Sequence, residues 1–288
     1  MPITTQIQSD IAQGFDSFHG QLMHRVCPLC GKHNADRPAL FASIPWHIRQ
    51  CSACSMVYLE NAPTYASLSA DDAAWQQSWR DEKQKRTRRE PLLAAAQKVT
   101  HGLRDAIRPR DKLTALVRRW IPRGDLLDVG CGVGHRADRF PPEVIPFGIE
   151  IEQAAAQRAD ELFARRGGRC VFAPGLVGLD AFQEESFDGM VMYAYLEHEV
   201  EPAPVLRKAL SKLRPGAPLI IKVPNHACVN RSIRGLRWCG YRLPDHVNYF
   251  TPVTLTRLLK DAGLEVIRFN LFDRFPTSDN MWLVARRR

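Results

Sequence analysis

The sequence predicts a doubly wound α/β domain with a seven-stranded sheet, fronted by a small cysteine-knuckle unit and a helical connector. Three observations carry that prediction. From Arg123 onward, apolar runs of strand length alternate with helical stretches, the pattern of a parallel sheet with crossover helices. The first of those runs empties into a turn containing Gly130, Gly132 and Gly134. Ahead of it stand two Cys-x2-Cys pairs with 20 residues between them. At 288 residues and 45% hydrophobic, the chain can bury one good core and a small second unit.

In chain order, residues 1–23 are a polar leader without an apolar run long enough for a signal peptide. No stretch of about 18 apolar residues occurs, so no membrane span is expected. The expected setting is the cytoplasm, where thiols stay reduced and spaced cysteine pairs serve metals rather than disulfides. Residues 24–65 are short apolar pieces punctuated by cysteines and closed by Pro63. Residues 66–122 read as helical, with Pro91, Pro109 and Pro122 as breaks. Residues 123–288 supply the sheet. Its strands are expected at Asp125–Val129, Pro146–Glu150, Arg169–Phe172, Phe187–Tyr193, Pro218–Val223, Leu264–Phe269 and Met281–Ala285. Helices are expected from Arg136, over Glu152–Arg166, and over Thr251–Ala262. The last has Thr251 as N-cap, Pro252 in its first turn and Gly263 at its stop.

The net charge of +9 is confined to one segment. Between Gln76 and Gly124 there are 14 Lys and Arg against 5 Asp and Glu, and the rest of the chain carries 26 of each. Such a segment is either a solvated helix face or a surface for RNA or another polyanion.

Cys27, Cys30, Cys51 and Cys54 form Cys-x2-Cys-x20-Cys-x2-Cys. Two knuckles of two thiolates complete a tetrahedral zinc shell with no open position, which assigns the ion a structural role. A unit this short needs such a staple to fold.

Leu126-Leu-Asp-Val-Gly-Cys-Gly-Val-Gly134 runs an apolar strand into a Gly-x-Gly-x-Gly turn. A Cβ at Gly130 or Gly132 would collide with a ligand or force an unfavourable φ. A nicotinamide dinucleotide pattern would place its last glycine at His135. Asp128, two residues before the first glycine, suits a ligand bearing a cationic amino group rather than a pyrophosphate. Glu150 ends the next strand, twenty residues past Gly130, where a carboxylate can accept both hydroxyls of a ribose.

These residues resemble the first motif of class I S-adenosylmethionine-dependent methyltransferases. Three further pieces agree in order and spacing: Ser186–Tyr193, Leu213-Arg-Pro-Gly-Ala-Pro-Leu-Ile-Ile-Lys-Val-Pro-Asn225, and Phe250 with Leu255–Gly263. The resemblance covers about residues 90–288 and implies a Rossmann-like fold with S-adenosylmethionine as cofactor. It places the adenine near Gly175 and Leu176 and the methionine end at the turn after Tyr193. Cys131, read as a packing residue within the turn, joins Ile151 among the residues around the cofactor. The cysteine pairs ahead of such a domain resemble a bacterial group in which "CxxC…CxxCGxxY" precedes a methyltransferase, with Ser55 here in the glycine's place.

Two segments are expected to face the acceptor: Leu196-Glu-His-Glu199, and residues 225–250 with their arginines and Asp245-His246-Val247. In the group containing ubiquinone-biosynthesis O-methyltransferases, the first often supplies a metal through Glu-x-x-Glu-His. Here Ala194 replaces the earlier glutamate, so no catalytic metal is expected. His246, similar to the histidine of that group's His-x3-Phe motif, is the leading candidate for general base, followed by His198. The resulting expectation is methylation of a hydroxyl, or a carbon, of a small metabolite or a glycan or lipid precursor. The alternative is an RNA methyltransferase that grips RNA through the zinc ribbon and the basic connector.

Overall fold

The computed structural model describes residues 20–43, 45–65, 67 and 111–287. Most of the leader, and the connector over 68–110 with ten of the 14 Lys and Arg counted above, lie outside the described residues.

Seven strands form the main sheet. In chain order they are β6 (Gly124–Val129), β7 (Val144–Glu150), β8 (Cys170–Phe172), β9 (Gly189–Tyr193), β10 (Pro218–Pro224), β12 (Leu264–Arg268) and β13 (Asn280–Arg287). They lie in the order β12-β13-β10-β9-β6-β7-β8, with β13 antiparallel to both its neighbours and the other pairings parallel. Chain order reverses between β6 and β9, which opens a crevice above their carboxyl ends. Neighbouring residues serve opposite faces, as the period of two requires. Leu127, Met190 and Ile221 pack toward Leu255, Leu258 and Leu259, whereas Leu126, Val191 and Ile220 pack toward Leu113, Val117 and Phe163.

The helices follow their sequence signals. α1 (Lys112–Trp120) begins at Asp111, whose carboxylate accepts from the Thr114 amide. α2 (Gln153–Ala164) is capped by Glu152 through the amides of Ala154 and Ala155. α3 is a single turn, Gly175–Gly178, and α4 spans Pro202–Lys212. α5 covers Val229–Arg234; α6 (Pro252–Asp261) carries a capping box at Thr251 and ends before Gly263, at φ 89°. Among the described residues no helix is long and apolar enough to cross a membrane.

Two expectations need correction. The helix expected from Arg136 is a five-residue 3-10 turn, His135–Arg139. Pro141 and Pro142 follow at once, and a residue before proline is pushed out of the helical region; Phe140 is extended at ψ 157°. The fourth strand of the sheet begins at Gly189 rather than Phe187, which makes only an isolated bridge to Leu213.

The N-terminal unit is fused into the larger one. β1 (Leu22–His24) pairs with β5 (Asn61–Pro63), while β2 (Phe41–Ser43), β3 (Trp46–Gln50) and β4 (Val57–Leu59) form a meander. A two-residue strand, β11 (Asn248–Tyr249), adds to that meander by pairing with β4. Trp46, Ile48 and Leu59 share one core with Trp238, Val247 and Tyr249. Arg25, 5% exposed, donates to the carbonyls of Leu59, Val200 and Val247 and to Asn248 Oδ1. Asn248 Nδ2 in turn donates to the carbonyls of Leu196 and Glu199.

Candidate active site

The glycine turn rises from β6 into the crevice. Gly130 and Gly132 sit at φ 75° and 58°, which a side chain rarely tolerates. A Cβ on Gly130 would lie 2.9 Å from the Tyr195 ring. Glu150, at the tip of β7, is fixed by backbone donors: Oε2 accepts from the Gly132 amide at 2.7 Å, and Oε1 from Ile151 and Glu152 at 2.8 and 3.0 Å. A carboxylate has about four lone-pair sites; three are used here, which leaves one, on Oε2, for a ligand. Cys131 points into the core, with its Sγ 3.5 Å from that of Cys170. Asp128 is buried, and its Oδ1 has no hydrogen-bond partner. Burial raises its carboxyl to about 7; Arg136 opposes the shift and Glu150 adds to it.

A cavity of about 200 Å³ joins Gly130, Glu150, Ile151 and Gly175 to a second wall of side chains. That wall is Tyr65, from the end of the knuckle unit, with Tyr195, His198, Glu199 and Asp245. Ala194, at φ 53°, turns the chain at the end of β9 and sets Tyr195 over the crevice. Glu199 is 1% exposed and accepts from the hydroxyls of Tyr65 and Tyr195 and from the Glu201 amide. Burial and the Glu199 charge push both phenols upward, so the hydroxyls stay protonated donors.

His198 Nδ1 lies 2.7 Å from Asp245 Oδ1, and Arg242 pairs with Asp245 Oδ2 at 2.8 Å. Asp245 is held well below the usual carboxylate range: burial works against this, but His198 and Arg242 overcome it. Burial also lowers His198, and the Asp245 carboxylate more than offsets that, leaving the imidazole raised. His246 stands behind it, 5% exposed, with Nδ1 2.9 Å from the Gly240 carbonyl and its ring edge-on to His198 at 4.7 Å. Burial and the neighbouring His198 lower it well below the usual range. Glu197 is also buried and its Oε2 has no partner; ligand atoms of Glu197, His198 and His246 lie within 4.8 Å of one another.

The sequence-predicted residues thus divide. Gly130, Glu150, Ile151, Gly175 and His198 line one cavity, whereas Asp128, Cys131, Gly132, Gly134, Leu176, Tyr193 and His246 lie outside its lining. Tyr65 and Tyr195 carry no role in the sequence, and Glu199 enters only as the end of the segment Leu196–Glu199 expected to face the acceptor. The signal available was proximity to recognised segments: Tyr65 follows the knuckles, and the other two flank Glu197-His198.

The four cysteines of the knuckles converge. Their sulfurs lie within 4.8 Å of one another, with Cys27 to Cys54 at 3.4 Å and Cys30 to Cys51 at 3.5 Å. Gly31 and Ser55, one residue past each pair, take φ 72° and 59° and turn the knuckles back.

A family profile described as "Methyltransferase domain" matches residues 100–268. The ubiquinone biosynthesis O-methyltransferase of Xanthomonas axonopodis pv. citri is 26% identical over 181 residues, covering 59% of this chain and 73% of the relative. That of Xanthomonas euvesicatoria pv. vesicatoria is 26% identical over 151 residues, 49% of this chain and 62% of the relative. Among solved structures, a putative methyltransferase from Bacillus halodurans matches at TM-score 0.49 and 16% identity, over 61% of this chain and 98% of its own. A SAM-dependent methyltransferase from Methanosarcina mazei matches at TM-score 0.47 and 20% identity, over 60% and 96%. A profile match over more than half of the 288 residues makes this chain a member of the methyltransferase-domain family, and it is an S-adenosylmethionine-dependent enzyme.

Proposed function

We propose that the enzyme methylates a hydroxyl, or a carbon, of a small metabolite or a glycan or lipid precursor in the cytoplasm, with His198 removing the acceptor's proton. The observation that carries this reading is the His198–Asp245 pair opening on the same cavity as Gly130 and Glu150. The residues present fit the cofactor. Asp128 Oδ1 lacks a partner, and Glu150 keeps acceptor capacity. A Cβ on Gly175 would come within 1.9 Å of the Tyr195 hydroxyl, so the cleft narrows there to backbone. When bound, the cofactor supplies an activated methyl on its sulfonium.

The chain's own part is alignment and proton removal. Asp245 takes the Nδ1–H of His198 and fixes the tautomer, which leaves Nε2 as the base. The Tyr65 and Tyr195 hydroxyls and the Glu199 carboxylate offer hydrogen bonds to a polar acceptor. The four converging thiols support a structural zinc. A reducing, cytoplasmic setting accords with thiols kept for a metal.

The test is mass spectrometry of RNA and of small-molecule extracts after incubation with methyl-labelled S-adenosylmethionine. Label confined to the small-molecule fraction is expected. Label in RNA would overturn the reading and make the basic connector the binding surface.

A further inference from the structure

Three charged groups around the end of β9 are short of partners. Asp128 Oδ1 and Arg136 Nε are buried without a hydrogen bond. Lys222, half-buried on β10 beside its sheet neighbour Tyr193, gives its ammonium no hydrogen bond or ion pair with another described residue, though the buried Glu197 carboxylate attracts it. Buried polar groups are nearly always satisfied, so unsatisfied ones of both signs, side by side, call for a ligand of both signs.

Their arrangement is specific. The Arg136 guanidinium stands 4.6 Å from the centre of the Tyr193 ring and the Lys222 ammonium 5.1 Å. A ring face attracts cations without neutralising them, and beyond it Arg136 gives only a 3.5 Å hydrogen bond from Nη2 to the Cys131 carbonyl. Arg136 Nε is 4.0 Å from Asp128 Oδ2, too far for a hydrogen bond. An α-amino acid, with ammonium and carboxylate on one carbon, bridges that gap. Arg242, the other nearby guanidinium, is engaged with Asp245 at 2.8 Å.

We propose that Arg136 and Lys222 form the subsite for the α-carboxylate of the bound cofactor, beside Asp128, which takes its ammonium. The inference rests on the enzyme's dependence on S-adenosylmethionine and adds which side chains read its amino-acid end. The same two cations could instead receive a carboxylate or phosphate of the acceptor, and the test separates the two sources.

The experiment is titration calorimetry of the full, metal-loaded chain with two ligands. S-adenosylhomocysteine carries the amino-acid end, and methylthioadenosine lacks it. With Arg136→Gln or Lys222→Met, affinity for S-adenosylhomocysteine is expected to fall at least about tenfold, the lower end of the range for hydrogen bonds to charged groups. Methylthioadenosine affinity is expected to stay unchanged in both variants, which also shows that they fold. Equal losses for both ligands would make the two cations merely structural and overturn the inference. Unchanged S-adenosylhomocysteine binding would also overturn it. If inorganic phosphate then slowed methyl transfer by the wild type and not by the variants, the anion would belong to the acceptor. A wild type that binds neither ligand would overturn the cofactor assignment itself, and this subsite with it.

Discussion

Gly130, Gly132, Glu150 and Ile151 come from two neighbouring strands and meet through backbone amides. Tyr65, Tyr195, His198, Glu199 and Asp245, across the same cavity, come from three separate segments and meet through side chains. One wall is a local product of the glycine turn and the strand beside it. The other exists only after the knuckle unit, the turn past β9 and residues 242–249 have been brought together. A wall made of backbone tolerates substitution nearby, whereas one made of side chains depends on every support behind it.

That contrast can be broken most directly at the knuckles. If the four thiols hold the proposed zinc, Cys51→Ser should cost the protein that ion and, through β4, the seat of β11 and of Tyr65. Methyl transfer should fall by roughly 100-fold or more, while S-adenosylhomocysteine still binds within a few-fold of wild type. Metal analysis beside calorimetry checks this; loss of cofactor affinity in step with activity would show the walls to be inseparable. Next comes Arg25→Met, which removes four hydrogen bonds from a buried guanidinium. Denaturant unfolding should show a loss of about 3 kcal/mol.

On the local wall the effects are smaller. Glu150→Ala should weaken S-adenosylhomocysteine binding by about 1–3 kcal/mol, and an unchanged affinity by calorimetry would remove Glu150 from the site. The pH dependence of the same binding tests Asp128. Burial holds its carboxyl at about 7, with Arg136 opposing and Glu150 adding, so free protein below that pH carries it protonated. A bound ammonium favours the carboxylate, so affinity should rise about tenfold from pH 6 to pH 8. Asp128→Asn should flatten that profile.

The same division explains what the sequence showed. The strand at Gly124–Val129, the glycine turn and Glu150 were legible because each is written in consecutive residues. So was the Thr251 cap, which needs only its own helix. The choice between histidines was not legible. His198 and His246 are both plausible bases in sequence, and only the fold puts the first on the cavity and the second behind it against Gly240. Nor could spacing show that Tyr65 joins Tyr195 on Glu199, since Tyr65 and Glu199 lie 134 positions apart in the chain. The glycine turn predicts a helix from Arg136, but Pro141 and Pro142 end it after the 3-10 turn at His135–Arg139.

The pairing of β11 with β4, and the Arg25 bond to the Val247 carbonyl across 222 residues, have a consequence for how the chain is made. The knuckle cysteines lie close in sequence and can gather an ion as soon as they leave the ribosome. The strand against which their sheet docks, β11, is synthesised only after five of the seven strands of the main sheet. Closing so long a loop is slow, and its entropic cost is repaid only when the final contacts form. The knuckle unit therefore appears well before the strand that seats it, and the side-chain wall of the cavity is completed only at that later step.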